Sequence, residues 1–164
     1  MIRRTILCLV FAATLAVPAV VAGNADFERM LALEGEWVEL GEDGKPGEAV
    51  VSLWQVTAGG TAVMETLHPG GEHEMLTLYH PSGDKLALTH YCPMGNQPRM
   101  EAAADGGTID FKCAGGDNIP TEETPHMHAM SLKIIDENHI EATWSNHAGG
   151  SEDHSMTLNL VRKQ

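Results

Sequence analysis

The stretch Leu88–Met100, LTHYCPMGNQPRM, gathers a histidine, a thiol, two thioethers, two side-chain amides and an arginine into 13 residues. Read as a strand, it puts His90 and Cys92 on one side, because successive side chains alternate between faces. His126 and His128 repeat that i, i+2 spacing further along. Two donors on one side of a strand are what a chelating site on a sheet requires. His90, Cys92, His126 and His128 are therefore the candidate metal ligands. They suit Zn or Cu, with Met94 or Met130 as a thioether for Cu(I). Against this, nine histidines in one chain produce some such pairs by chance, and no compact zinc pattern such as paired Cys-x-x-Cys is present.

The same side chains admit two other chemistries. Glu65, His90, Gln97 and Arg99, facing inward from neighbouring strands, would give a small-molecule pocket its polar groups. Arg99 would clamp a carboxylate bidentately, or simply pair with Glu65. In a third reading Glu65 and His90 act as acid and base across adjacent strands. A direct His90–Cys92 nucleophile pair is disfavoured, since i, i+2 side chains on a regular strand stand about 6–7 Å apart. No Gly-x-Ser-x-Gly elbow or phosphate-cradling glycine loop accompanies these residues. Binding is the expected function class, of a small molecule first and a metal ion second, with acid–base catalysis as the remaining alternative.

These residues need a scaffold, and the chain reads as β nearly throughout. Strand-like runs occupy 35–40, 49–57, 61–68, 72–80, 84–92, 97–104, 107–114, 126–135, 138–147 and 152–162. Turn signals such as Glu42-Asp43-Gly44, Pro69-Gly70-Gly71 and Asp136-Glu137-Asn138 separate them. Connectors of hairpin length make consecutive strands antiparallel, and closing such a meander removes exposed edges. The expected fold is all-β: a single antiparallel up-and-down barrel of about ten strands, preceded by a short amphipathic helix over 26–33. The one long connection, 114–125, is acidic and carries Pro120 and Pro125. It reads either as a flap at a barrel mouth or as a plain solvated loop. Cys92 and Cys113 fall on strands separated by one neighbour, roughly 10 Å apart, whereas a disulfide needs Cα atoms within about 7 Å.

Arg3 and Arg4, an apolar run from Ile6 to about Val17 and small residues up to Ala22 read as a secretory signal. Cleavage after Ala22 or Ala25 would leave one domain over 26–164. As a retained anchor the run is short for a bilayer-spanning helix. The expected location is the periplasm or the cell exterior. The chain carries 10 Lys+Arg against 23 Asp+Glu, net −13, and losing Arg3 and Arg4 makes it −15. That charge repels phosphate backbones and anionic lipid surfaces. Neither nucleic acid nor, after cleavage, a membrane is an expected partner; a small molecule or a metal ion is.

Two features carry a resemblance to known families. Gly35-Glu36-Trp37 opens the first strand and Arg162 closes the last, which resembles lipocalin-like (calycin) barrels, where an arginine from the final strand packs over that tryptophan. Such a stack is worth about 0.5–2 kcal/mol. Residues 62–100 resemble a family of secreted bacterial lipocalin-like proteins that has no assigned activity. Its Thr-His-Tyr-Cys and Asn-Gln-Pro-Arg-Met blocks correspond to Thr89, His90, Tyr91 and Cys92, then Asn96, Gln97, Pro98, Arg99 and Met100. Glu65, His73, Met75, Tyr79 and His80 match before them, and His126 to His128 after. The resemblance implies the barrel rather than an activity, and it adds His73, Tyr79 and Asn96 to Glu65, His90, Gln97 and Arg99 as candidate ligand-binding residues. Cys113 is not part of the family pattern. Haem-binding nitrobindin barrels are similar too, with His147 or His154 as the matching ligand, but the glycine- and tyrosine-rich first strand of that group is missing.

Overall fold

The computed structural model describes residues 24–102 and 107–164; the signal expected over 1–22 lies outside them. Ten strands follow one short helix: α1 (Ala25–Leu31), β1 (Gly35–Leu40), β2 (Pro46–Thr57), β3 (Ala62–Leu67), β4 (Met75–Ser82), β5 (Lys85–Tyr91), β6 (Gln97–Ala102), β7 (Thr108–Asp117), β8 (His126–Asp136), β9 (His139–Ala148) and β10 (Ser151–Arg162). Each pairs antiparallel with its neighbours in sequence, and β1 pairs with β10 through Trp37–Arg162, Val38–Val161 and Glu39–Leu160 to close the barrel. The expected all-β up-and-down barrel with a short leading helix is the fold observed. No helix among the described residues is long and apolar enough to cross a membrane.

Alternation sets which side chains fill the lumen. On β5, Leu86, Leu88 and His90 are buried, while Lys85 and Tyr91 are exposed. β4 begins at Met75 rather than 72, for a local reason. The Gly70 amide donates to the Glu74 carboxylate and the Glu74 amide to the Gly71 carbonyl. The turn thus satisfies its own polar groups, and ladder pairing starts only at Met75–Leu67.

One end of the barrel is shut. Asn24 caps α1, its side-chain oxygen accepting from the amides of Asp26 and Phe27 at 3.2 Å each. The helix is pinned to the barrel by Asn24 Nδ2 donating to Lys85 O and Arg29 Nη2 to Gly107 O. Phe27, Met30 and Leu33 then enter the core. Beside them the Arg162 guanidinium lies 4.5 Å from the Trp37 ring centroid. It donates to the carbonyls of Ala32, Glu34 and Glu137, and Trp37 Nε1 donates to Leu33 O at 2.9 Å. Gly35 is required here: its φ is +139° and a Cβ would stand 2.8 Å from Arg162 Nη1.

Aromatic rings cross the middle of the lumen. Trp54 stacks on Tyr79 at 5.3 Å, Tyr79 tilts against Phe111 at 5.7 Å, and His90 meets Trp144 at 4.6 Å. His90 on β5 and Trp144 on β9 have three strands between them around the ring, so their contact spans the barrel. With α1 at one end, a cavity at the mouth of β7, β8 and β9 opens beside His126, His128 and His147.

Candidate functional site

The strands that reach the open end carry bulges there. On β8, Met127 pairs with Asn146 and Ala129 with Ser145, leaving His128 as the extra residue. On β7, Cys113 pairs with Met100 but Gly116 with Pro98, so that strand also has one residue too many. On β10, Asp153 is extra between Glu152 and His154. A bulge bends its strand and re-aims the side chains beside it. Here the β8 bulge accompanies a close approach: His126 Nε2 and His128 Nδ1 lie 3.0 Å apart, against about 6–7 Å between i, i+2 positions on a regular strand.

Cys113 completes a donor set with these two histidines. Its Sγ and one ring nitrogen from each of His126 and His128 all lie within 4.8 Å of one another. Hydrogen bonds define which nitrogens are free. His126 Nδ1 sits 2.7 Å from Thr124 O, a carbonyl that can only accept, so Nδ1 carries the proton and Nε2 offers a lone pair. With both rings neutral, His128 Nδ1–H must then donate to His126 Nε2. An arriving cation would take both nitrogens, with the His128 proton moving to its own Nε2. A carbonyl fixing the tautomer of a ligand histidine is the usual support for a metal site. Tetrahedral zinc places its nitrogen ligands about 3.3 Å apart at ordinary Zn–N lengths, so the two ring nitrogens at 3.0 Å already stand near that spacing.

His147 adds a third imidazole. It pairs with His126 across the ladder and stacks on His128, ring centroids 3.5 Å apart and 4° from parallel. Burial, then the neighbouring His147 and His126, hold His128 below the usual imidazole pKa, partly opposed by Glu122. That favours the neutral ring, the form that binds metals.

In front of the donors lies a cavity of about 480 Å³ lined by Cys113, His126, His128 and His147 on the barrel side and by Ile119, Pro120, Thr121 and Glu122 on the loop side. The connection before β8 is thus a wall of the mouth, as a flap would be. It is stitched at both ends. Asn118 Nδ2 donates to Gly95 O and Gln97 Oε1, Asn96 Nδ2 to Pro125 O at 2.7 Å, and the Gly149 amide to Glu123 O. Gly116 permits the approach, since a Cβ there would meet Gln97 O and Pro98 Cα at 2.7 Å.

Of the four metal candidates expected from sequence, His126 and His128 are brought together and His90 and Cys92 are not part of the cluster. His90 Nδ1 is 2.9 Å from Thr77 Oγ1 and its ring packs on Trp144; burial pushes its pKa down to about 4. The Cys92 thiol donates to Asn96 Oδ1 at 3.8 Å, and burial pushes it up. Cys92 and Cys113 are both free thiols.

The expected ligand-binding set is split. Glu65, Tyr79 and His90 are buried in the lumen. Ser52 Oγ donates to Glu65 Oε1 at 2.8 Å and Tyr79 Oη to Oε2 at 2.6 Å. Burial still raises Glu65 to about 7, the two donors opposing it, and raises Tyr79 too. Arg99 does not face inward. It points out of the barrel and pairs with Asp117 at 3.2 Å, both side chains more than half exposed. Pro98, Met100 and Ala102 hold the inner face of β6 instead. Gln97 is half-buried at the rim against Asn118, Asn96 is buried as a strut under Pro125, and His73 is exposed in the β3–β4 turn rather than on β4. Glu65 and His90 both neighbour Thr77 across the ladder but do not bond each other.

Cys113 is the mouth residue that sequence reasoning missed as a ligating group, and His147, matched there only to a haem ligand, was not expected beside His126 and His128. Cys113 follows Ile109 and Phe111 on the inward face of β7, a signal that alternation alone carries. His147 is brought to the cluster by pairing with His126, which no local pattern reveals. No protein-family model matches the chain, and no curated protein matches it either.

Proposed function

We propose that this protein is an exported binding protein that captures a transition-metal ion at the mouth of its barrel. Cys113 Sγ, His126 Nε2 and His128 Nδ1 are the ligands. The observation that carries the reading is the convergence of one donor atom from each of these three residues within 4.8 Å, beside an imidazole whose ring proton a backbone carbonyl holds. One thiolate and two imidazoles suit Zn or Cu and not the hard, oxygen-seeking Mg or Ca. The expected secretory leader and lipocalin-like family remain part of this proposal, and capture outside the cytosol fits an acidic, exported chain.

Equilibrium dialysis against micromolar Zn(II) or Cu(I) tests it. The expected result is about one ion per chain, with affinity falling by more than the roughly 10–100-fold typical of losing an outer-shell partner in Cys113→Ser and in His128→Ala. Wild-type protein retaining under one tenth of an equivalent would remove the proposal, as would variants that bind as tightly as wild type.

A second reading rests on a different observation. In the lumen, the side-chain nitrogens Trp54 Nε1, Trp144 Nε1 and His90 Nε2 are buried with no hydrogen-bond partner among the described residues. Buried polar groups are normally hydrogen-bonded, so these fit a small polar molecule held inside the barrel. Native mass spectrometry of purified protein, before and after denaturing extraction, distinguishes a bound organic molecule from none.

A further inference from the structure

The metal reading leaves something over at the mouth, and the leftover groups have a pattern. A divalent ion with a thiolate and two neutral imidazoles carries one residual positive charge. Among the described residues the donor cluster contains only Cys113, His126 and His128, whereas zinc ordinarily takes four ligands. The fourth position would face the cavity of about 480 Å³ walled by the loop before β8. That wall is not uniform. Ile119 and Pro120 are apolar, Glu122 is anionic, and His147 stands stacked on His128, next to the donors but outside their set. Such a space is larger than one water molecule needs.

Resting on that metal reading, we propose that the ion-loaded protein is a receptor for a small monoanion. The anion's charged head would fill the open coordination position and accept a hydrogen bond from His147, and its apolar body would lie on Ile119 and Pro120. Charge balance sets the valence: one negative charge neutralises the site, while a second would face Glu122 in a chain of net charge −13. The stitched loop sets the size. It is bonded to Gly95, Gln97 and Asn96 on one side and to Gly149 on the other, so the cavity is pre-formed and bounds the length of the apolar body, within which each added methylene gains contact.

Cobalt(II) is the probe, because its visible spectrum reports coordination and a thiolate-to-cobalt charge-transfer band reports Cys113. On protein showing that band, azide is expected to shift the d–d bands saturably. Pentanoate is expected to bind about tenfold or more tighter than acetate, for the three added methylenes. His147→Ala should keep the charge-transfer band and weaken azide binding about tenfold. The inference is overturned if the charge-transfer band is present and azide leaves the spectrum unchanged. It is overturned equally if acetate and pentanoate bind alike, or if His147→Ala binds azide as wild type does. Absence of the charge-transfer band would instead strike the metal reading itself, and this inference with it.

Discussion

Removing one oxygen atom, by Tyr79→Phe, should destabilise this barrel more at alkaline than at acid pH. The ring would still stack on Trp54 and contact Phe111; only the hydroxyl donating to Glu65 Oε2 is lost. Glu65 is fully buried, and its pKa stands near 7 in the folded protein against 4.5 for the ordinary group. A pKa raised on folding means that the native state holds the proton more tightly. This contribution is therefore complete below pH 4.5 and is lost as pH rises to 7. At about 1.4 kcal/mol per unit, the loss amounts to about 3 kcal/mol. Above pH 7 the wild-type curve is flat in this term, because both states are ionised.

The Tyr79 hydroxyl is one of two donors that hold the folded pKa down. Without it the folded pKa climbs past 7, and the loss of stability continues into the alkaline range. At pH 5 the carboxyl is neutral and the variant should lose about 1 kcal/mol, the worth of an ordinary hydrogen bond; at pH 8.5 it should lose about 2–3 kcal/mol, the worth of one to a charged group. Urea denaturation followed by tryptophan fluorescence at the two pH values measures both, with equal m-values showing that the unfolding transition is the same. Equal losses at both pH values, or a larger loss at pH 5, would refute the assignment of a titrating carboxyl to this cage.

Further outcomes follow from the same packing. His90 has its pKa lowered by burial to about 4, so its contribution is present above the ordinary 6.5 and lost as pH falls toward 4. His90→Gln should therefore gain about 3 kcal/mol relative to wild type between pH 7 and 4, read by urea denaturation. Arg162→Lys keeps the charge but loses the fork that reaches the carbonyls of Ala32, Glu34 and Glu137, and should cost about 2 kcal/mol, seen as a lower melting temperature. Gly116→Ala forces β6 and the mouth loop apart, and should weaken metal uptake in dialysis while leaving the far-ultraviolet circular dichroism of the barrel in place.

Much of the architecture was legible from local signals. Turn residues and a period of two recur in every hairpin, and Trp37 and Arg162 stand one at each end of the meander, where closure makes them partners. The failures have a common origin in phase. On β6 the apolar Met100 and Ala102 fix the inward face and put Arg99 outside; reading Arg99 and Gln97 as lumen residues takes the phase from their chemistry instead, and a one-residue slip exchanges the faces of a strand. The β8 bulge at His128 resets that phase at the mouth, so a pattern counted from mid-strand loses its meaning for His126 and His128, whereas Cys113, ahead of the β7 bulge, keeps the phase of Ile109 and Phe111. His73 was misplaced because a turn with its own hydrogen bonds delays the start of β4.

The ladder that closes this barrel is the shortest one in it. β9 and β10 run together from Ser151–Ala148 to Val161–His139, while β1 and β10 share only Trp37–Arg162, Val38–Val161 and Glu39–Leu160. A cylinder lacks free edges only while its seam is zipped. Partial opening should therefore begin between β1 and β10, with those amides the first to exchange with deuterium. A chain caught in that state would present two unpaired strand edges to another copy, so the Arg162 clasp also guards against edge-to-edge pairing between molecules.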